Sequence, residues 1–106
     1  MFTRSAIFEG KIRVGSEDIF LKIVQDELVP VWRRMPNALA VRLYRRVRSD
    51  QKAPALTLVQ EIDYPSLEAV AEAEASPIRE EGAPIMDRLM TMFEGRLVHT
   101  VYERLL

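Results

Sequence analysis

Apolar positions along this chain change their period in a definite order. From Phe2 to Glu9, Phe2, Ala6 and Phe8 share one parity and Ile7 takes the other, which predicts a moderately amphipathic strand. Gly10 and Gly15 bracket a connector. Ser16 then stands as an N-cap, with Glu17 and Asp18 placing negative charge at the positive end of a helix. Ile19, Phe20, Ile23, Val24, Leu28 and Val31 recur at helical spacing and predict one apolar stripe through Trp32 to Arg34. Pro30 lies inside that stripe, and its ring and missing amide predict a kink or an early end.

Met35-Pro36-Asn37 turns the chain into its clearest alternation. Over 38–48, Leu39, Val41, Leu43 and Val47 face opposite Ala40, Arg42, Tyr44, Arg46 and Arg48. The polar stretch 49–54 reads as a hairpin loop into a strand over 55–64. There Leu56, Leu58 and Ile62 oppose Thr57, Val59, Glu61 and Asp63. Pro65-Ser66 opens a helical segment over 67–75. Ser76-Pro77 has the N-cap and first-turn proline that begin a second piece, which Gly82 and Pro84 interrupt and Gly95 closes as a C-cap. Arg96 to Leu105 alternates again, with Leu97, His99 and Val101 opposite Val98, Thr100 and Tyr102.

The resulting order, βαββαβ, predicts a ferredoxin-like α+β domain: a four-stranded antiparallel sheet with its helices on one face. The other face would carry Ile7, Ala40, Tyr44, Val59, Val98 and Tyr102 among Ser5, Arg42, Thr57, Glu61 and Thr100, which is too apolar for a simply wetted surface. One self-complementary patch can be covered by a second copy about a two-fold axis, so a homodimer is expected.

Composition narrows the classes of function. The chain has 106 residues, enough for one core and too few for separate cofactor and substrate domains. Fifteen basic against sixteen acidic residues leave a net charge of -1, a poor match to nucleic acid or anionic membrane. Cysteine is absent, which excludes thiolate chemistry and suits a reducing compartment, and no apolar run approaches a membrane span. The first residues lack the pattern of a signal peptide, and a cytoplasmic protein is expected. With one histidine, a transition-metal site is not expected; phosphate-binding glycine loops and nucleophile elbows are missing.

Polar residues on the helix-covered parity are the candidate chemistry. His99 is either a general acid or base, its pKa being near neutrality, or a core histidine satisfied by a hydrogen bond. Gln60 and Arg4 share the parity of their strands' apolar sets, so with His99 they outline a pocket. The plainer reading of Arg4 is a strand-end residue reaching solvent along its stem. Trp32 either stacks on a flat ligand at the pocket mouth or packs against the domain or a partner. Tyr44 and Tyr102 belong between subunits. Arg42, Arg45, Arg46 and Arg48 read as a solvated, ion-paired strand, because the RNA-recognition signature of this topology is absent. Glu68, Glu72, Glu74, Glu80 and Glu81 read as a solvent-facing helix surface.

Ser66-Leu67-Glu68-Ala69, then Ala75-Ser76-Pro77, Asp87, and Phe93 before the last strand resemble the second-helix pattern of EthD-like proteins. Residues 30–37 are similar to the segment that in those proteins ends helix one and enters strand two. These proteins belong to the dimeric α+β barrel superfamily, together with antibiotic biosynthesis monooxygenases and stress-responsive barrel proteins. The pattern tends to carry a histidine two residues before the proline, where this chain has Leu28. The resemblance implies a homodimer with a pocket for an apolar or aromatic small molecule between sheet and helices. It also implies cofactor-independent oxygenation, with His99 transferring a proton, Arg4 or Gln60 holding a substrate oxygen and Trp32 stacking. The alternative on the same scaffold is a binding or accessory protein that leaves its metabolite unchanged, a version that Leu28 favours.

Overall fold

A computed structural model describes residues 1–50 and 55–106. Strand β1 (Phe2–Ile12) is followed by α1 (Glu17–Ile23), a π-helical stretch (Val24–Leu28) and α2 (Val29–Arg33). Strands β2 (Ala40–Arg45) and β3 (Leu56–Tyr64), helices α3 (Leu67–Glu74) and α4 (Pro77–Met90), and strand β4 (Phe93–Glu103) complete the chain. The strands form one antiparallel sheet in the order β2-β3-β1-β4, and the helices cover one of its faces. This is the ferredoxin-like α+β arrangement that the order of elements predicts.

Pro30 does not end the first helical segment, which runs on to Arg33. The carbonyl that an amide at position 30 would have bonded belongs to Asp26, inside the five-residue π-helical stretch. The proline is thus accommodated by widening the turn before it. Ser16 is the residue before α1, yet its hydroxyl makes no cap bond, and the nearby acceptor used is Glu17 Oε2, which takes the Gly15 amide at 3.1 Å. The two later caps form as expected: Ser66 Oγ accepts from the Ala69 amide and Ser76 Oγ from the Ile78 amide. Gly82 and Pro84 lie within a continuous α4.

Two glycines change role. Gly10 lies inside β1 rather than in a connector, and Gly95 lies inside β4 rather than capping a helix. They face each other across the strands with φ of +145° and +149°. A Cβ on either would come within 2.1 Å of a carbonyl oxygen of the opposite strand, so only glycine permits this approach. Strand β2 is shorter than its alternation: Val41 and Leu43 pack on the core, whereas Leu39 is 57% and Val47 92% exposed. Of the hairpin loop expected at 49–54, residues 51–54 lie outside the described residues.

The core is built on the covered face of β1. Phe8 meets Phe20 and Phe93, all three ring centroids 5.9 Å from one another, with two of the contacts edge-on. Leu58, Ile62, Tyr64, Val70 and Leu89 extend that cluster under the helices.

Candidate functional site

Successive residues on the covered side of β1 are Phe8, Ala6 and Arg4. Aromatic rings fill the space above Phe8, whereas Ala6, 4% exposed and carrying only a methyl, lines a cavity beside them. A cavity of about 410 Å3 opens there, within the range of sites for small organic ligands. Leu28, Val31, Trp32 and Met35 form one wall, and Gly82, Ala83 and Met86 of α4 form the other. Ile62, Tyr64 and Leu97 complete an apolar lining, while Glu74, Ser76, Arg79 and Glu80 stand around the mouth.

All four candidate residues meet in this cavity: Arg4, Trp32, Gln60 and His99 line it. Gln60 is 2% exposed, and its Oε1 is buried with no hydrogen-bond partner among the described residues. Such an oxygen is costly to leave unmatched. Arg4 does not run out to solvent. Its side chain is 12% exposed and its Nε donates to Glu74 Oε2 at 3.0 Å, which leaves other guanidinium donors free in number. Arg79 stands beside the same segment, its Nη1 donating to the Glu74 carbonyl at 3.5 Å. Trp32 is buried and is the chain's sole tryptophan.

His99 is not the core histidine of the plainer reading: it is exposed at the mouth, one side turned to the cavity. Partial burial lowers its pKa, the positive charges of Arg4 and Arg79 lower it further, and Glu74 opposes them. The imidazole is therefore mainly neutral at pH 7 and able to take a proton. Tyr64 was not singled out from the sequence, although its parity matches Leu58 and Ile62. Burial raises its pKa, which keeps the phenol protonated. Leu28, where the EthD-like pattern tends to carry histidine, is an apolar part of the wall.

The opposite sheet face has a different character. Arg42 donates through Nη1 and Nη2 to both oxygens of Asp63 at 2.7 Å and through Nε to Glu61 at 3.0 Å, while Thr3 Oγ1 donates to Asp63 at 2.7 Å. The guanidinium holds the Asp63 carboxyl below its ordinary range. Tyr44 and Tyr102 are exposed. Among the described residues no cluster of histidine and carboxylates is placed to hold a metal, and no helix is long and apolar enough to cross a membrane.

Solved structures share this architecture along their whole length. An EthD family protein from Bacillus halodurans superposes with a TM-score of 0.76 at 19% identity, covering 99% of each chain. The fold is the ferredoxin-like α+β fold. An antibiotic biosynthesis monooxygenase has the same α+β fold, with a TM-score of 0.67, 21% identity and complete coverage of both chains. So does SnoaB, a cofactor-independent oxygenase from Streptomyces nogalater, at 0.67 and 16%, covering 99% of this chain and 93% of that one. No protein-family model and no curated protein matches the sequence.

Proposed function

We propose that the protein is a cytoplasmic homodimer whose subunits each take one apolar or aromatic small molecule into the cavity above Ala6, and that it acts there as a cofactor-independent oxygenase. The observation that carries the binding reading is Gln60 Oε1, buried at the cavity with no hydrogen-bond partner among the described residues. A ligand with a proton donor would satisfy it. Neutral His99 at the mouth can take a proton from an electron-rich hydroxyarene and Arg4 can hold the developing oxyanion; dioxygen is the oxidant, one of its atoms replacing hydrogen on the ring and the other leaving as water, with the substrate supplying the electrons as it becomes a quinone. The oxygenases among the structures of like fold support the chemistry by analogy of fold alone.

The dimer reading rests on the uncovered sheet face, where Ile7, Val59 and Val98 are only half-buried and Tyr44 and Tyr102 exposed. Light scattering should give twice the chain mass. A monomer at micromolar concentration would remove this part of the proposal.

A second reading, binding without turnover, is favoured by Leu28, which puts an apolar side chain in the cavity wall where the resembled pattern carries an imidazole. One experiment separates the two. Trp32 emission should change saturably as 1,5-dihydroxynaphthalene is added, and mass analysis of the recovered compound should show added oxygen for the oxygenase and no change for the binding protein. Constant emission up to the solubility limit would refute both.

A further inference from the structure

The cavity floor has a built-in ruler. In the sheet register Ala6 pairs with Gln60 on one side and with His99 on the other. Directly paired residues point to one face, so these three side chains form a single row across β3, β1 and β4, and all three line the cavity. The row is polar at both ends and carries a lone methyl in the middle. Its two outer backbones stand about 9–10 Å apart, twice the spacing of neighbouring strands. Ile62 and Leu97 flank Ala6 on the diagonals, and Trp32 and Met86 stand in the walls above it.

The ends of the row demand different things. Gln60 Oε1 is an acceptor without a donor among the described residues. At the other end stands His99; Arg4, two residues before Ala6 on β1 and on the same face, lies diagonal in the register to both Gln60 and His99, its charge acts on the His99 ring, and the bond from its guanidinium to Glu74 uses Nε alone. That end suits an acceptor or an ionisable oxygen.

We infer that Ala6 is the seat for a flat ring, and that the site selects ring compounds bearing a hydrogen-bond donor on the edge toward Gln60 and an oxygen on the opposite edge toward His99 and Arg4. The inference rests on the small-molecule reading above and gives it a ligand class. Ala6 is then the residue that sets how thick the ligand can be, since any larger side chain at that point lifts the ring off the sheet.

Calorimetric titration with 2,6-dihydroxynaphthalene and 2,6-dimethoxynaphthalene tests it. The ether keeps the ring and both oxygens but cannot donate. Wild type should prefer the diol by on the order of tenfold, and Gln60→Met should erase most of that preference. Ala6→Val should weaken the diol by at least about tenfold while Trp32 emission without ligand and the melting midpoint stay near wild type. Should Ala6→Val fail to fold, the comparison of diol and ether in wild type and Gln60→Met still decides. Equal affinity for diol and ether in wild type, or undiminished diol binding by a folded Ala6→Val, would overturn the inference and leave the cavity a binding site of another selectivity. Failure of both compounds to bind would overturn the small-molecule reading with it.

Discussion

Replacing Gln60 by methionine should make the protein more stable and less able to bind. Gln60 sits mid-strand in β3, paired with Ala6 and Leu43, 2% exposed, and its Oε1 has no partner among the described residues. A buried polar group in that condition costs about 1–3 kcal/mol relative to a matched one. Methionine has nearly the same length and no branch at Cβ, so it removes the orphaned oxygen without leaving a void. A net gain of about 1–2 kcal/mol is expected, because some cavity-facing surface stays wet. For a chain of this size that corresponds to a rise in Tm of roughly 4–16 °C. Thermal melts by circular dichroism measure it, at one protein concentration, since the midpoint of the proposed dimer would depend on concentration. Stability gained by deleting a group marks that group as kept for function. A Gln60→Met protein melting at or below the wild-type temperature would show that the amide is structural, and the argument from its unmatched oxygen would collapse.

Two further perturbations probe the walls and the mouth. Gly82 lies within α4, where an added Cβ would meet Leu28 Cδ2 at 3.6 Å and Val31 Cγ1 at 3.7 Å, ordinary contact distances. Gly82→Ala should therefore raise stability by about 0.5–1 kcal/mol in a chemical denaturation series, and a loss would mean that the wall cannot take a methyl. For His99, the folded pKa lies below the unfolded one, so as pH falls the unfolded chain takes up the proton first. The neutral imidazole's contribution is complete above the unfolded pKa of about 6.5 and is lost as pH falls through it. Melting midpoints between about pH 7.5 and 5 should decline less steeply in His99→Gln than in wild type; identical slopes would mean that neither burial nor the charges of Arg4 and Arg79 depress the ring's pKa.

Period-two parity carried the site a long way. It placed Arg4, Gln60 and His99 on the covered face of three different strands, and helical spacing placed Trp32 opposite them; all four line one cavity. Parity says nothing about depth along a strand, so it leaves a core histidine and a pocket histidine both open at position 99, and the structure puts His99 at the mouth. The size step from Phe8 to Ala6 is visible in the sequence, but that it opens a cavity depends on Phe20 and Phe93 closing over Phe8 alone. Gly10 and Gly95 read as connector and cap because glycine looks the same locally in either role, and the cross-strand pairing settles the matter. Val47 continued the alternation of β2, yet the ladder with β3 ends at Arg45, opposite Leu58, and leaves it outside.

The central claim is that the space above Ala6 is a ligand seat whose polar anchor is Gln60. A crystal structure of the protein soaked with 2,6-dihydroxynaphthalene tests it most directly. The account predicts the ring lying over Ala6, one hydroxyl within about 3 Å of Gln60 Oε1 and the other toward His99 and Arg4. A ring bound elsewhere, or a cavity closed by its own side chains with Gln60 bonded to the protein, would contradict it.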